Sequence, residues 1–123
     1  MVIPESALII DDEVHVRAFI KLLLGQLGIR IFYEAGGLEE ARVLFAAHTP
    51  ELVTLDINMP GGSGIELLRE FRAANDEAVI VMLSGDVQAG TVKAAADAGA
   101  DGFIRKDVPR EQILAEFRAI FSN

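Results

Sequence analysis

The chain has no cysteine and no tryptophan, and it contains only two histidines. Without cysteine it can form neither a disulfide framework nor a zinc–thiolate site, and no thiol is available as a nucleophile. No hydrophobic run approaches the ~18 residues that are needed to cross a bilayer, and no signal-peptide pattern opens the chain. We therefore expect a cytoplasmic protein that does not enter the membrane.

Positive charge is also scarce. The sequence has 11 Lys and Arg against 19 Asp and Glu, which gives a formal net charge of −8. Contacts with the phosphate backbone of nucleic acids need clusters of Lys and Arg, and the sequence shows no such cluster. We therefore expect no direct binding of nucleic acid by this domain. Its 123 residues are typical of one domain, so we expect residues 1–123 to form a single domain.

Short apolar runs alternate with amphipathic segments along the chain, and this pattern is typical of repeated βα units around a parallel sheet. Strands are predicted at 7–10, 29–33, 52–55, 79–83 and 103–105, and the mixed polarity of the second strand favours a sheet edge. The expected fold is a flavodoxin-like (βα)₅, doubly wound, with strand order 2-1-3-4-5, the order known for this kind of sheet.

Helix boundaries are marked by capping and terminating residues. In helix one, apolar residues recur at helical spacing up to Gly28, which is expected to terminate it; they are Val16, Phe19, Leu23 and Leu27. Ser63 is the predicted N-cap of helix three. Gly99 is expected to end helix four, and Pro109 suits the first position of helix five.

Polar residues follow four of the predicted strands: Asp11 and Asp12, Asp56, Ser84, and Lys106. Because the carboxyl ends of parallel strands share one edge, where ligands bind, we expect these side chains to meet in one pocket. Two carboxylates at 4 Å repel each other by about 4 kcal/mol at an effective dielectric of 20, so the pocket needs protons or a cation. An all-oxygen donor set favours Mg²⁺. The alternative, that the acidic pair after strand one only caps a helix, stays open.

The chemistry of such a pocket points to phosphoryl groups. Asp56 is the candidate nucleophile, because a carboxylate can attack phosphorus and form an aspartyl phosphate. Lys106 could neutralise phosphoryl oxygens, and Ser84 could donate a hydrogen bond to them. Taken singly, the two could equally be a solvated lysine at a strand end and a serine that caps a helix. No serine-hydrolase elbow, P-loop or dinucleotide-binding motif offers a competing site.

Two other functions fit parts of this pattern. A Mg²⁺-dependent phosphohydrolase with an aspartate nucleophile would use similar carboxylates, but such enzymes commonly have a second acid two residues after the nucleophile. That position holds Asn58, an amide. A flavin- or nucleotide-binding module of the same topology is disfavoured, because an acidic pocket repels phosphate unless a metal is present.

Taken together, four segments resemble the receiver domain of two-component response regulators. They are Ile9-Ile10-Asp11-Asp12-Glu13, Leu55-Asp56-Ile57-Asn58-Met59-Pro60 with Gly64, Leu83-Ser84-Gly85, and Gly99-Ala100-Asp101-Gly102-Phe103-Ile104-Arg105-Lys106. The resemblance implies that a histidine kinase or a phosphotransfer protein donates a phosphoryl group to Asp56 in the presence of Mg²⁺. It also implies a set of protein ligands for the metal, namely Asp11, Asp12, Asp56 and the backbone carbonyl of Asn58. Lys106 and Ser84 would then contact the phosphoryl oxygens.

The resemblance further implies a switch in which Ser84 moves toward the phosphoryl group and Phe103 turns inward, remodelling the surface of helix four, strand five and helix five. The alternative for Phe103 is an ordinary place in the core.

Lys106 is followed by Asp107, where many receivers have proline. The Lys106-Asp107 pair is more similar to receivers that are joined to a DNA-binding output domain of the LuxR/NarL type. Whether the protein has such a domain, and whether it forms a homodimer, stays open.

Overall fold

The computed structural model describes residues 2–85 and 88–122. Within this part of the chain, five helices alternate with the five strands of a parallel sheet. The strands are β1 (Ser6–Ile10), β2 (Ile31–Ala35), β3 (Leu52–Leu55), β4 (Val79–Ser84) and β5 (Gly102–Arg105). The helices are α1 (Val14–Gln26), α2 (Leu38–His48), α3 (Gly64–Ala74), α4 (Ala89–Asp97) and α5 (Arg110–Phe121). No helix in these two ranges is both long and apolar enough to span a bilayer.

The strands are ordered β2-β1-β3-β4-β5, and all neighbours pair in parallel. This order and the flavodoxin-like fold confirm the sequence prediction, and β2 lies at the predicted edge. Alternating side chains of each strand enter two core layers. In β1, Leu8 and Ile10 pack in the layer that includes residues of α2 and α3, whereas Ala7 and Ile9 pack in the layer with α1 and α5. The sheet is therefore covered on both faces, and its carboxyl edge is left for the polar residues.

The predicted helix ends agree with the structure to within one residue. Gly28 and Gly99 lie directly after the C-cap residues of α1 and α4 and have φ of 107° and 104°, the left-handed conformation that favours glycine at this position. Ser63 caps α3, and its side chain accepts a hydrogen bond from the backbone N–H of Ile65. Pro109 is the N-cap of α5 instead of its first helical residue, so that prediction was one residue early.

Not all of the apolar residues that recur at helical spacing in α1 are buried, because Phe19 is 41% exposed. The side chains that α1 buries are Ile20, Leu23 and Leu24. This helix carries more apolar residues than one face can bury, so spacing alone does not say which of them face the sheet. The position of α1 between β1 and α5 determines which residues are buried, because the core layer that these elements share contains Ile20 and Leu24.

Arg72 joins α3 to the loops that precede β4 and β5. Its guanidinium donates hydrogen bonds to the carbonyl oxygens of Gly99 at 2.8 Å and Ala78 at 2.6 Å. It also bonds the carboxylate of Asp101 at 2.6 Å, and the same carboxylate oxygen accepts from the N–H of Ile80 at 2.8 Å. One side chain therefore provides hydrogen-bond donors for backbone carbonyls in two loops.

Replacing Arg72 by methionine is expected to lower the free energy of unfolding by about 2 kcal/mol. Methionine keeps the apolar stem but leaves partly buried carbonyls without donors, and charged hydrogen bonds contribute about 1.5–3 kcal/mol each. Urea denaturation would measure the loss. The control is Arg42→Met, because the partners of Arg42 among the described residues are the surface carboxylates of Glu39 and Glu70. If both variants lost the same stability, the contacts of Arg72 with the backbone would not be the cause.

Thr54 is a polar residue in the centre of the sheet. It lies in β3 beside Ile9 and Val81, it is 1% exposed, and its Oγ1 has no hydrogen-bond partner among the described residues. Thr54→Val is expected to raise the free energy of unfolding by about 1 kcal/mol, because a buried hydroxyl without a partner carries a desolvation penalty. Thermal unfolding should show a melting temperature higher by about 4 °C. An unchanged or lower melting temperature would mean that the hydroxyl has a compensating partner.

Candidate functional site

Three carboxylates meet at the carboxyl edge of the sheet. Asp11 and Asp12 follow β1, Asp56 follows β3, and one oxygen of each lies within 4.8 Å of the others. The two strands are neighbours, and Ile10 pairs with Leu55 at their ends, which places the residues that follow side by side. Asp11 and Asp56 are buried, whereas Asp12 is exposed. Two carboxylates of the cluster are therefore buried, and the third faces solvent.

Lys106 brings a positive charge to this cluster. Its backbone N–H donates to the carbonyl of Ser84 at 3.0 Å, which extends the pairing of β4 and β5 to the edge. Its Nζ donates to Asp56 Oδ2 at 2.8 Å and lies 2.6 Å from Asp11 Oδ2. The second contact is an ion pair. A single ammonium thus faces both buried carboxylates.

The surroundings of Lys106 act on its pKa in opposite directions. Burial lowers the pKa of the ammonium, but the close contacts with the Asp11 and Asp56 carboxylates and their negative charges outweigh burial and raise it above the ordinary lysine value. Lys106 is therefore a fixed positive charge at neutral pH. Three carboxylates against one ammonium still leave an excess of negative charge at this edge.

The two buried carboxylates are oriented in the same way. Asp11 Oδ1 accepts the N–H of Glu13 at 2.9 Å, and Asp56 Oδ1 accepts the N–H of Asn58 at 3.2 Å. In each case the other oxygen faces Lys106. Asp11 Oδ2 is buried, and apart from the ammonium of Lys106 it has no donor among the described residues. One ammonium shared by several carboxylates leaves negative charge uncompensated, and an all-oxygen group of this kind suits a hard divalent cation, so these residues could hold a metal ion such as Mg²⁺.

The other residues predicted for the site lie around this cluster. Ser84 is the last residue of β4 and is fully buried, and Gly85 beside it has open space where a side chain would be. Asn58 is exposed and pairs with Ser63 in a short antiparallel hairpin that the sequence analysis did not predict. Phe103 lies in β5 opposite Met82 and packs, partly buried, against the core layer that includes residues of α2 and α3. Their functional roles stay predictions.

Two residues that support the site carried no clear signal in the sequence. A Cβ at Gly64 would overlap the carbonyl oxygen of Asp56, and the Gly64 N–H donates to the carbonyl of Ile57 at 2.8 Å. Arg17 donates from its guanidinium to the carbonyl oxygen of Asp11 at 2.6 Å. In the sequence, Gly64 stands out only as part of a motif, and nothing marks Arg17, because its contact depends on how a loop folds.

Comparison with known proteins gives consistent matches. The family model described as the response regulator receiver domain matches residues 7–118. The chemotaxis protein CheY of Bacillus subtilis (strain 168) is 36% identical over 107 residues, which are 87% of this chain and 89% of that protein. The solved structure of the CheX–CheY–BeF₃–Mg complex from Borrelia burgdorferi matches with a TM-score of 0.89 and 30% identity, covering 97% of this chain and 90% of that one.

Regulators with a longer chain also match. The nitrate/nitrite response regulator protein NarL of Escherichia coli (strain K12) is 34% identical over 112 residues, which are 90% of this chain and 52% of that protein. This similarity agrees with the LuxR/NarL-type pattern around Lys106 and Asp107. The chain spans about half the length of several curated relatives that it matches.

Proposed function

The chain belongs to the response regulator receiver domain family, and we propose from this that residues 1–123 form one receiver domain that is phosphorylated on Asp56. Members of this family act as phosphoacceptor switches in two-component systems. The observation that carries the proposal is the convergence of Asp11, Asp12 and Asp56 on the ammonium of Lys106 at one edge of the sheet. No other nucleophile was found in the sequence motifs.

In the proposed reaction, a carboxylate oxygen of Asp56 attacks the phosphorus of a phosphohistidine on a histidine kinase or a phosphotransfer protein. A P–O bond forms, the P–N bond breaks, and the imidazole leaves with the electron pair. A Mg²⁺ ion held by Asp11, Asp12, Asp56 and the carbonyl of Asn58 would neutralise charge on the transferring group. The chain would thereby catalyse only its own phosphorylation and, with water as the nucleophile, its own dephosphorylation.

Lys106 and Ser84 are proposed to bind the phosphoryl oxygens. Lys106 Nζ already lies 2.8 Å from an oxygen of Asp56, so a phosphoryl group on that carboxylate would be within reach of the ammonium. Electrostatic stabilisation of this kind needs a charge that is in place before the reaction, and the raised pKa of Lys106 keeps it protonated. The buried Ser84 hydroxyl would act as a hydrogen-bond donor.

The output is proposed to be a changed surface on α4, β5 and α5. Ser84 and Phe103 lie on neighbouring strands, and Ser84 is joined through its carbonyl to the backbone of Lys106. A movement of Ser84 toward the phosphoryl group would therefore reach β5 directly. Phe103 has no hydroxyl, so its inward position would rest on packing alone.

The partners belong to the same proposal. The phosphoryl donor is a histidine kinase or a phosphotransfer protein, and the domain binds neither nucleic acid nor membrane itself. Regulation of a DNA-binding output domain and formation of a homodimer are two separate parts of this proposal. A cytoplasmic location is part of this proposal.

The alternative function is a phosphohydrolase, which would turn over many substrate molecules per protein. It is less well supported, because Asn58 supplies no acid for the leaving group.

Titration with beryllofluoride and Mg²⁺, followed by NMR, tests this function. Beryllofluoride imitates a phosphoryl group on a carboxylate, so we expect the amide signals around Asp56 and Lys106 to shift first. The signals of β5 near Phe103 should shift with the same saturation curve if the switch operates. A response at Asp56 without one at Phe103 would contradict the switch, and no response at either would contradict the phosphoacceptor function. Omitting Mg²⁺ should abolish both responses.

A further inference from the structure

Arg17 connects the metal-binding loop to the neighbouring strand. It lies in the first turn of α1, and its side chain is only 14% exposed. Nη1 donates to the carbonyl oxygen of Asp11 at 2.6 Å, and Nε donates to Glu34 Oε1 at 3.2 Å. The backbone N–H of Arg17 also donates to the carbonyl of Glu13 at 3.1 Å. One residue thus holds both ends of the 11–13 loop.

The space for this guanidinium is provided by Gly36. A Cβ at residue 36 would lie 3.1 Å from Arg17 Nη1, which is closer than nine in ten real contacts of a Cβ, so the guanidinium would have to shift. The charge of Arg17 is balanced by Glu34, the carboxylate at the end of β2. The guanidinium therefore does not act mainly as a charge that repels a cation from the acidic cluster. Its effect is on geometry.

We propose that Arg17 is a positioning residue that orients Asp11 and Asp12 for a divalent cation, an inference that rests on the proposed function. The carbonyl that Arg17 binds belongs to the peptide that joins these two aspartates, so fixing its plane fixes the start of both side chains. Asp12 is exposed, and its backbone N–H belongs to the peptide that Arg17 holds. Groups that orient metal ligands from the second coordination sphere commonly change metal affinity by 10- to 100-fold.

The Mg²⁺ affinities of the wild type, Arg17→Met and Arg17→Lys test the inference. Amide shifts of residues 12–14 in an NMR titration give the dissociation constants without any phosphorylation. We expect the methionine variant to bind Mg²⁺ about 10-fold more weakly. The Mg²⁺ affinity of Arg17→Lys should lie between those of the wild type and Arg17→Met, because an ammonium can donate to the Asp11 carbonyl but cannot bridge to Glu34 with the same geometry. At saturating Mg²⁺, phosphorylation of Arg17→Met by acetyl phosphate should return to the wild-type rate.

Arg72→Met is the matched control, because Arg72 also binds backbone carbonyls but far along the chain from the acidic loop. It should lose stability and keep the wild-type Mg²⁺ dissociation constant. If Arg17→Met binds Mg²⁺ as tightly as the wild type, or if Arg72→Met weakens binding equally, the positioning role is wrong while the proposed function stands. If the wild type itself shows no saturable response to Mg²⁺, the proposed function fails as well.

Discussion

Asp56→Asn is expected to fold and to accept no phosphoryl group from acetyl phosphate or a phosphoramidate in the presence of Mg²⁺. Asparagine has nearly the same shape as aspartate and keeps one carbonyl oxygen, so the backbone N–H of Asn58 retains an acceptor. The amide has no anionic oxygen, and its neutral carbonyl oxygen is too weak a nucleophile to attack phosphorus. It also removes one of the three carboxylates that gather the cation. Both losses act on the same step, so the effect should be complete.

Intact-mass spectrometry measures this result directly. The wild type should gain the mass of one phosphoryl group, and a chelator should prevent the gain. Asp97→Asn is the control, because Asp97 is an exposed residue of α4 that pairs with Lys93 away from the site. That variant should be phosphorylated like the wild type. A phosphoryl group on Asp56→Asn in the same yield would show that another residue is the acceptor.

The meeting of distant residues could be predicted because a parallel sheet has only one carboxyl edge. Once the apolar runs before Asp11, Asp56 and Lys106 were assigned to strands, the topology placed the three residues at that edge. The strand order then made β1 and β3 neighbours, and their final residues pair as expected. Hydrophobic patterning determines strands of this kind well, because strands that are covered on both faces are almost wholly apolar.

What the sequence did not predict depends on individual side chains and on loops. Phe19 has the right spacing for the core and lies outside it, because Ile20 and Leu24 compete for the same face. Arg17 and Arg72 each bind carbonyl oxygens that belong to loops. No residue-type rule says which arginine will reach which carbonyl, since this is fixed only when the whole chain is folded. The short hairpin at Asn58 is a loop detail of the same kind.

Lys106→Met is expected to lower the free energy of unfolding by about 3 kcal/mol when divalent cations are absent. Removing one partner of a buried ion pair leaves an uncompensated charge, which costs about 3–5 kcal/mol, and the lower end applies because the Lys106 side chain is 23% exposed. Urea denaturation at neutral pH in a chelator would measure the loss. Lys93→Met, which removes an exposed lysine of α4, should cost much less.

The pH dependence of this difference has a definite sign. The folded-state pKa of Lys106 is raised, so its contribution to stability is complete below the ordinary lysine value of about 10.4. It is lost only as the pH rises through the raised folded-state pKa. The stabilities of the wild type and Lys106→Met should therefore run parallel around neutral pH and converge in strong alkali. A difference that vanished already near neutral pH would contradict the ion pair as its source.

Magnesium should recover most of the stability that Lys106→Met loses. Asp11 and Asp56 each direct one oxygen at the ammonium, so a bound divalent cation and Lys106 compensate the same charges. Without the lysine, Mg²⁺ should bind more tightly. At neutral pH, the same concentration of Mg²⁺ should therefore raise the urea midpoint of unfolding more in Lys106→Met than in the wild type. If Mg²⁺ stabilised both proteins equally, the cation and the lysine would act on separate charges. The aspartates would then not form one electrostatic unit, and the site would have to be described as two.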